Sequence, residues 1–97
     1  MSDKYILLVE DDANDVLLIQ RAFAKAGMDC IRVARDGPHA IDYLSGNGDY
    51  ADRQRFPMPF LVLLDLKMPG MDGFQVLDWI RARPSVKRTL VVVLTSS

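Results

Sequence analysis

Two hydrophobic rhythms alternate along the chain. Tyr5-Ile6-Leu7-Leu8-Val9 is an unbroken β-prone run, the pattern of a strand buried on both faces as in a parallel sheet. It stops at three acids, Glu10, Asp11 and Asp12. From Asn14 the spacing lengthens, and Val16, Leu17, Ile19, Ala22, Phe23 and Ala26 recur at helical intervals between Gln20, Arg21 and Lys25. Asp12 or Asn14 suits the cap of this helix, and Gly27 the position just past its end. Cys30 to Ala34 alternates and predicts a second strand, nearer an edge, with Cys30 as a small buried residue. Gly37-Pro38 opens the next helix, with proline in its first turn, an apolar stripe of Ala40, Ile41 and Leu44, and an end near Ser45. Residues 46–59 form a long connection, which predicts either a functional loop or a turn of helix. Tyr50, Phe56 and Met58 are expected to anchor it. Phe60 to Leu64 reads as a third buried strand ending at Asp65. Phe74, Leu77 and Ile80, with Val76 beside them, mark a third helix that stops by Pro84, and Leu90 to Leu94 a fourth strand before Thr95-Ser96-Ser97.

Strands alternating with helices in this way predict an α/β fold with a parallel sheet and right-handed crossovers. At 97 residues the chain fits one domain. Composition narrows the functions further. Twelve Lys and Arg against thirteen Asp and Glu leave a formal charge of -1, without the basic excess that nucleic-acid binding draws on. The apolar runs are far shorter than the roughly 20 residues of a membrane span. The short run Tyr5–Val9 before three acids does not read as a secretory signal, so the cytoplasm is the expected compartment. A single cysteine and a single histidine exclude a disulfide framework and a Cys/His zinc site within the chain. Ser-His-Asp or Cys-His chemistry would rest on His39, which stands between Pro38 and Ala40 and reads instead as a partly exposed helix residue.

In open parallel sheets, ligands bind beyond the carboxyl ends of the strands. Glu10, Asp11 and Asp12 follow the first strand, Asp65 the third and Thr95 the fourth. Carboxylates brought together there repel one another unless a cation joins them, and oxygen-only ligands favour a hard divalent ion such as Mg²⁺. An aspartate beside such an ion has the chemistry of a phosphoryl nucleophile, and a hydroxyl at Thr95 suits a phosphoryl oxygen. Asp12 is explained equally well as a helix cap. Met68-Pro69-Gly70-Met71-Asp72-Gly73 follows directly, where Pro69 fixes φ and Gly70 and Gly73 permit conformations closed to other residues.

These segments together resemble the receiver domains of bacterial response regulators. The resemblance rests on Val9-Glu10-Asp11-Asp12, on Leu63 to Gly73 and on Val93 to Ser97, in this order and spacing, and covers essentially the whole chain. The connection 46–59 resembles the insertion of stand-alone regulators served by phytochrome-type sensor kinases. The resemblance implies a flavodoxin-like three-layer fold with sheet order 2-1-3-4 in one receiver domain over 1–97. It implies Asp65 as phosphoacceptor, a sensor histidine kinase as donor and Mg²⁺ held by Glu10, Asp11, Asp65 and the backbone carbonyl of Lys67. Thr95 becomes the switch hydroxyl and Ser96 a phosphoryl-stabilising amide. The family's fifth strand, with its phosphoryl-pairing lysine, has no counterpart here. Two other readings stand beside this one: a docking module that is not phosphorylated, and an aspartate-dependent phosphatase. The latter usually carries a second aspartate where this chain has Lys67. With order 2-1-3-4 the strand 89–94 is an edge, uncharged and apolar over Leu90 to Leu94, where the expectation is pairing or swapping with a second copy, a partly molten state, or completion by further segments.

Overall fold

The structure, a computed structural model, describes residues 4–68, 70, 72–84, 86 and 89–94. Four strands, β1 (Ile6–Val9), β2 (Ile31–Ala34), β3 (Leu61–Asp65) and β4 (Leu90–Leu94), form a parallel sheet in the order β2-β1-β3-β4. Helices α1 (Ala13–Lys25), α2 (Gly37–Ser45) and α3 (Gly73–Arg81) make the crossovers. The expected fold class and strand order are those observed.

Side-chain alternation along the strands divides the core in two. Leu7, Val9, Val62 and Leu64 point to one face and pack under α2 and α3 with Ala40, Tyr43, Leu44, Val76 and Ile80. Ile6, Leu8 and Leu63 point to the other, where Val16, Ile19 and Phe23 of α1 cover them. The helices begin at acidic caps. Asp12 accepts from the amides of Asn14 and Asp15, Asp36 from that of His39, and Asp72 from that of Gln75, whose side chain returns the bond. Helix α1 ends at Ala26, and Gly27 follows at φ +80°.

Several expectations need correction. Strands β1 and β3 each begin one residue later than the apolar runs, and Phe60 is exposed. Cys30 precedes β2 and is half-buried. Leu17 and Ala22 of the anticipated α1 stripe are exposed, because α1 lies against the sheet along Val16, Ile19 and Phe23. Phe74 is 60% exposed. The buried line of α3 is Gly73, Val76 and Ile80, a rotation set by how tightly Gly73 meets β3.

The stretch 46–59 does contain a turn of helix, a 3-10 segment at Gly48–Ala51. Tyr50 and Phe56 pack on the α2 side of the core as expected, and both rings touch Tyr43. Met58 does not anchor the stretch: it is exposed, and Pro59 is buried instead. The main fastener is Arg53. Its guanidinium donates to the carbonyls of Tyr43 at 2.8 Å, Leu44 at 3.0 Å and Phe56 at 3.1 Å, closing the carbonyl end of α2. His39 is half-buried, with Nε2 bonded to the Tyr50 hydroxyl.

Candidate functional site

The parallel register carries the acids together. Val9 pairs with Leu64, so the next residues, Glu10 and Asp65, leave adjacent strands side by side. Glu10 remains on the ladder through its amide, which donates to the Ala34 carbonyl at 3.0 Å. Both carboxyl groups are buried, with exposures of 4% for Glu10 and 3% for Asp65, while Asp11 is exposed. One carboxylate oxygen from each of Glu10, Asp11 and Asp65 lies within 4.8 Å of the others. The three acids expected to converge do so. Asp12 does not join them. Its side chain holds the first amides of α1, and its own amide donates to Oε2 of Glu10 at 3.3 Å.

Asp65 is held from two further directions. The Lys67 amide donates to Oδ1 of Asp65 at 3.0 Å, fixing the carboxyl's rotation, while the Lys67 side chain is exposed. Gly73 brings α3 against the end of β3. A Cβ on Gly73 would lie 2.4 Å from the Asp65 carbonyl oxygen and 2.6 Å from Cα of Leu66, so the first turn of α3 tolerates only glycine there. The sequence suggested that Gly73 matters through unusual dihedrals. Instead its φ is ordinary and the requirement is space, whereas Gly70 takes φ +76°. Pro69, Thr95 and Ser96 lie outside the described residues, although β4 carries the chain to Leu94, opposite Asp65 in register.

Crowding of acids shows in their electrostatics. Burial pushes the Glu10 carboxyl up to about 7, helped by its hydrogen bond with the Asp65 side chain and by that group's charge. Three convergent carboxylates, two of them buried, fit a hard divalent cation, which would relieve the same repulsion. Nothing in the donor set is soft. Beside the acids opens a cavity of about 360 Å³ between α1 and β2, with Gln20, Val33 and Arg35 on its walls. The sequence reading missed Arg35. Its signal is position, as the first residue after β2 at the same sheet end.

An open parallel α/β sheet with buried acids at the carboxyl ends of β1 and β3 defines a doubly wound domain whose ligand site is acidic and oxygen-only. Residues 6–97 match the response regulator receiver domain family, and the chain belongs to that family. It is 42% identical over 95 residues to response regulator Rcp1 of Synechocystis sp. (strain ATCC 27184 / PCC 6803 / Kazusa), a match spanning 97% of this chain and 63% of the relative. Among solved structures it is similar to the phosphorylated cyanobacterial phytochrome response regulator RcpA, at TM-score 0.88 and 42% identity, covering 99% of this chain and 67% of that one. It is also similar to the Mn(2+)-bound form of response regulator Rcp1, at TM-score 0.85 and 42% identity, covering 97% and 66%. Among the described residues no helix is long and apolar enough to cross a membrane.

Proposed function

We propose that the chain is the phosphoacceptor part of a cytoplasmic two-component regulator and that Asp65 accepts the phosphoryl group. The observation that carries this reading is the meeting of Glu10, Asp11 and Asp65 within 4.8 Å at the carboxyl end of the sheet. Glu10, Asp11, Asp65 and the Lys67 carbonyl would hold Mg²⁺, which when bound supplies positive charge beside the transferring phosphoryl group. An Asp65 carboxylate oxygen attacks the phosphorus of a kinase phosphohistidine. The P–O bond forms as the P–N bond breaks, and the departing imidazole takes up a proton. The Lys67 amide keeps the attacking carboxyl in one rotamer, and burial keeps competing water away. Thr95 would offer its hydroxyl, and Ser96 its amide, to the phosphoryl oxygens. The domain assists its own phosphorylation and acts as a signalling element rather than a turnover enzyme.

Similarity to phytochrome response regulators favours a phytochrome-type histidine kinase as donor. Labelling with acetyl phosphate or such a kinase, with Mg²⁺, tests the reading. The wild type gains an acid-stable, hydroxylamine-labile label and Asp65→Asn gains none. Equal labelling of both would overturn the assignment.

Association of two copies has its own support. β4 is an edge among the described strands, and its Leu90 and Val92 side chains are 64% and 46% exposed. Pairing of 89–94 with a second copy would cover them. Sedimentation should then show a concentration-dependent dimer that Val92→Lys removes. A monomer at all concentrations would exclude the pairing.

A further inference from the structure

The amino end of the sheet, opposite the acidic site, gathers cations over aromatic rings. The Lys4 ammonium sits 5.8 Å from the Phe60 ring centre, the Arg32 guanidinium 5.0 Å from that of Tyr5, and the Arg55 guanidinium 5.4 Å from that of Phe56. Backbone bonds tie these residues into one corner. The Phe60 amide donates to the Tyr5 carbonyl at 3.0 Å, and one Arg32 amine donates to the Arg55 carbonyl at 3.3 Å. Arg32 stands opposite Leu7 in register, on the face that α2 and α3 cover.

These cations have no carboxylate partner among the described residues. Lys4 and Arg55 are exposed, and beside them Met58 and Phe60 are each 37% exposed. The Arg32 Nε is buried without a hydrogen-bond partner and one of its amines is bonded to the Arg55 carbonyl, so the exposed Lys4 ammonium and Arg55 guanidinium are the groups open to a carboxylate. Stacking also limits the side chain's freedom before any partner arrives, which lowers the entropy lost on binding.

We propose that this corner is a docking surface for an acidic peptide segment of a partner protein that carries an apolar side chain among its carboxylates. The carboxylates engage Lys4 and Arg55, with the Arg32 charge behind them, and the apolar side chain covers Met58 and Phe60. An apolar side chain among discrete carboxylates suits the exposed Met58 and Phe60, which a continuous polyphosphate would leave uncovered. Arg53 is not a contact residue here. Its bonds to three carbonyls make it the positioning residue that holds the stretch carrying Arg55 and Phe56.

NMR titration of the labelled protein with a synthetic peptide of glutamates flanking one leucine tests this. Saturable, salt-sensitive shifts are expected at the amides of Tyr5, Arg32, Arg55 and Phe60, with a Kd of about 100 µM or tighter. Arg55→Glu and Lys4→Glu should each weaken binding about tenfold. Arg83→Glu should leave it unchanged, since Arg83 is an exposed cation stacked alone on Trp79 at 4.5 Å. Asp65→Asn should also bind normally, which separates this surface from the phosphoryl site. The proposal is overturned if the corner does not respond, if the glutamine version of the peptide binds equally well, or if Arg83→Glu weakens binding as much as Arg55→Glu. Equal binding of a single-stranded oligonucleotide of the same charge would assign the corner to nucleic acid instead.

Discussion

At the carboxyl end of the sheet, Glu10 and Asp65 are buried carboxylates pressed against a third acid. At the amino end, Arg32, Arg53 and Arg55 lie over the rings of Tyr5, Tyr43 and Phe56, and Arg32 and Arg53 donate to backbone carbonyls. The formal charge of -1 conceals this polarity. The two ends also bear their charge at different cost. Like charges in a buried site destabilise the empty protein and are relieved by protonation or by a ligand of opposite sign. Cations at a half-exposed surface are stabilised by rings and carbonyls and stay available to anions. A site held in tension needs a rigid frame, which Gly73 and the Lys67 amide supply. The amino end needs only a stretch pinned in place, which Arg53 supplies.

The largest expected effect bears on the acidic end. Asp11→Ala or Asp65→Ala should abolish Mg²⁺ binding measured by calorimetry, since each removes a convergent carboxylate, whereas Arg53→Ala should leave that binding intact. Undiminished affinity in both acid variants would show that the carboxyl end holds no cation. Gly73→Ala comes next. Its methyl group meets the Asp65 carbonyl and the Leu66 backbone, and the overpacking should cost about 3 kcal/mol in chemical denaturation. A neutral result would mean that the frame yields easily. Arg53→Ala, which leaves three carbonyls short of a donor, should cost about 2 kcal/mol, with proteolysis within 46–59 accelerated and the acidic site unaffected.

The pH dependence sharpens the contrast at smaller amplitude. The folded protein raises the Glu10 carboxyl from 4.5 to about 7, so folding favours its protonated form. Stability from this group is full at acid pH and is lost as pH climbs from 4.5 through about 7. Mg²⁺ needs the carboxylate, so its affinity should rise by at most about tenfold per pH unit up to that point and level off above it. In Glu10→Gln the slope of metal-free stability should flatten, as read from thermal melts. A slope unchanged in that variant would place its source elsewhere.

Much of the acidic site could be read from the chain because it depends on local order. A β-prone run that stops at a carboxylate puts that carboxylate at a strand end, and parallel strands put their carboxyl ends on one edge. Glu10, Asp11 and Asp65 could be placed at one edge in this way, whereas the choice of Asp12 over Asn14 as cap and of a turn of helix over an irregular loop within 46–59 was made by the structure. Helix phase was harder. An apolar residue in the right spacing is not bound to face the core, and Leu17 and Phe74 do not. Which line of α3 is buried depends on the closeness of Gly73 to β3, a contact between residues on different elements.

The sequence by itself determined the order and kind of the elements, the parallel sheet and the acids at its carboxyl edge, because propensity, periodicity and capping act over a few residues. Tertiary structure alone decided how far each acid is buried, why Gly73 admits no side chain and where the cations go. Lys4, Arg32 and Arg55 are scattered through the chain and unremarkable in composition. Only the β1–β2 register and the return of 46–59 to β3 set them on rings at one corner, because a contact between distant residues depends on how the whole sheet packs rather than on any window of sequence.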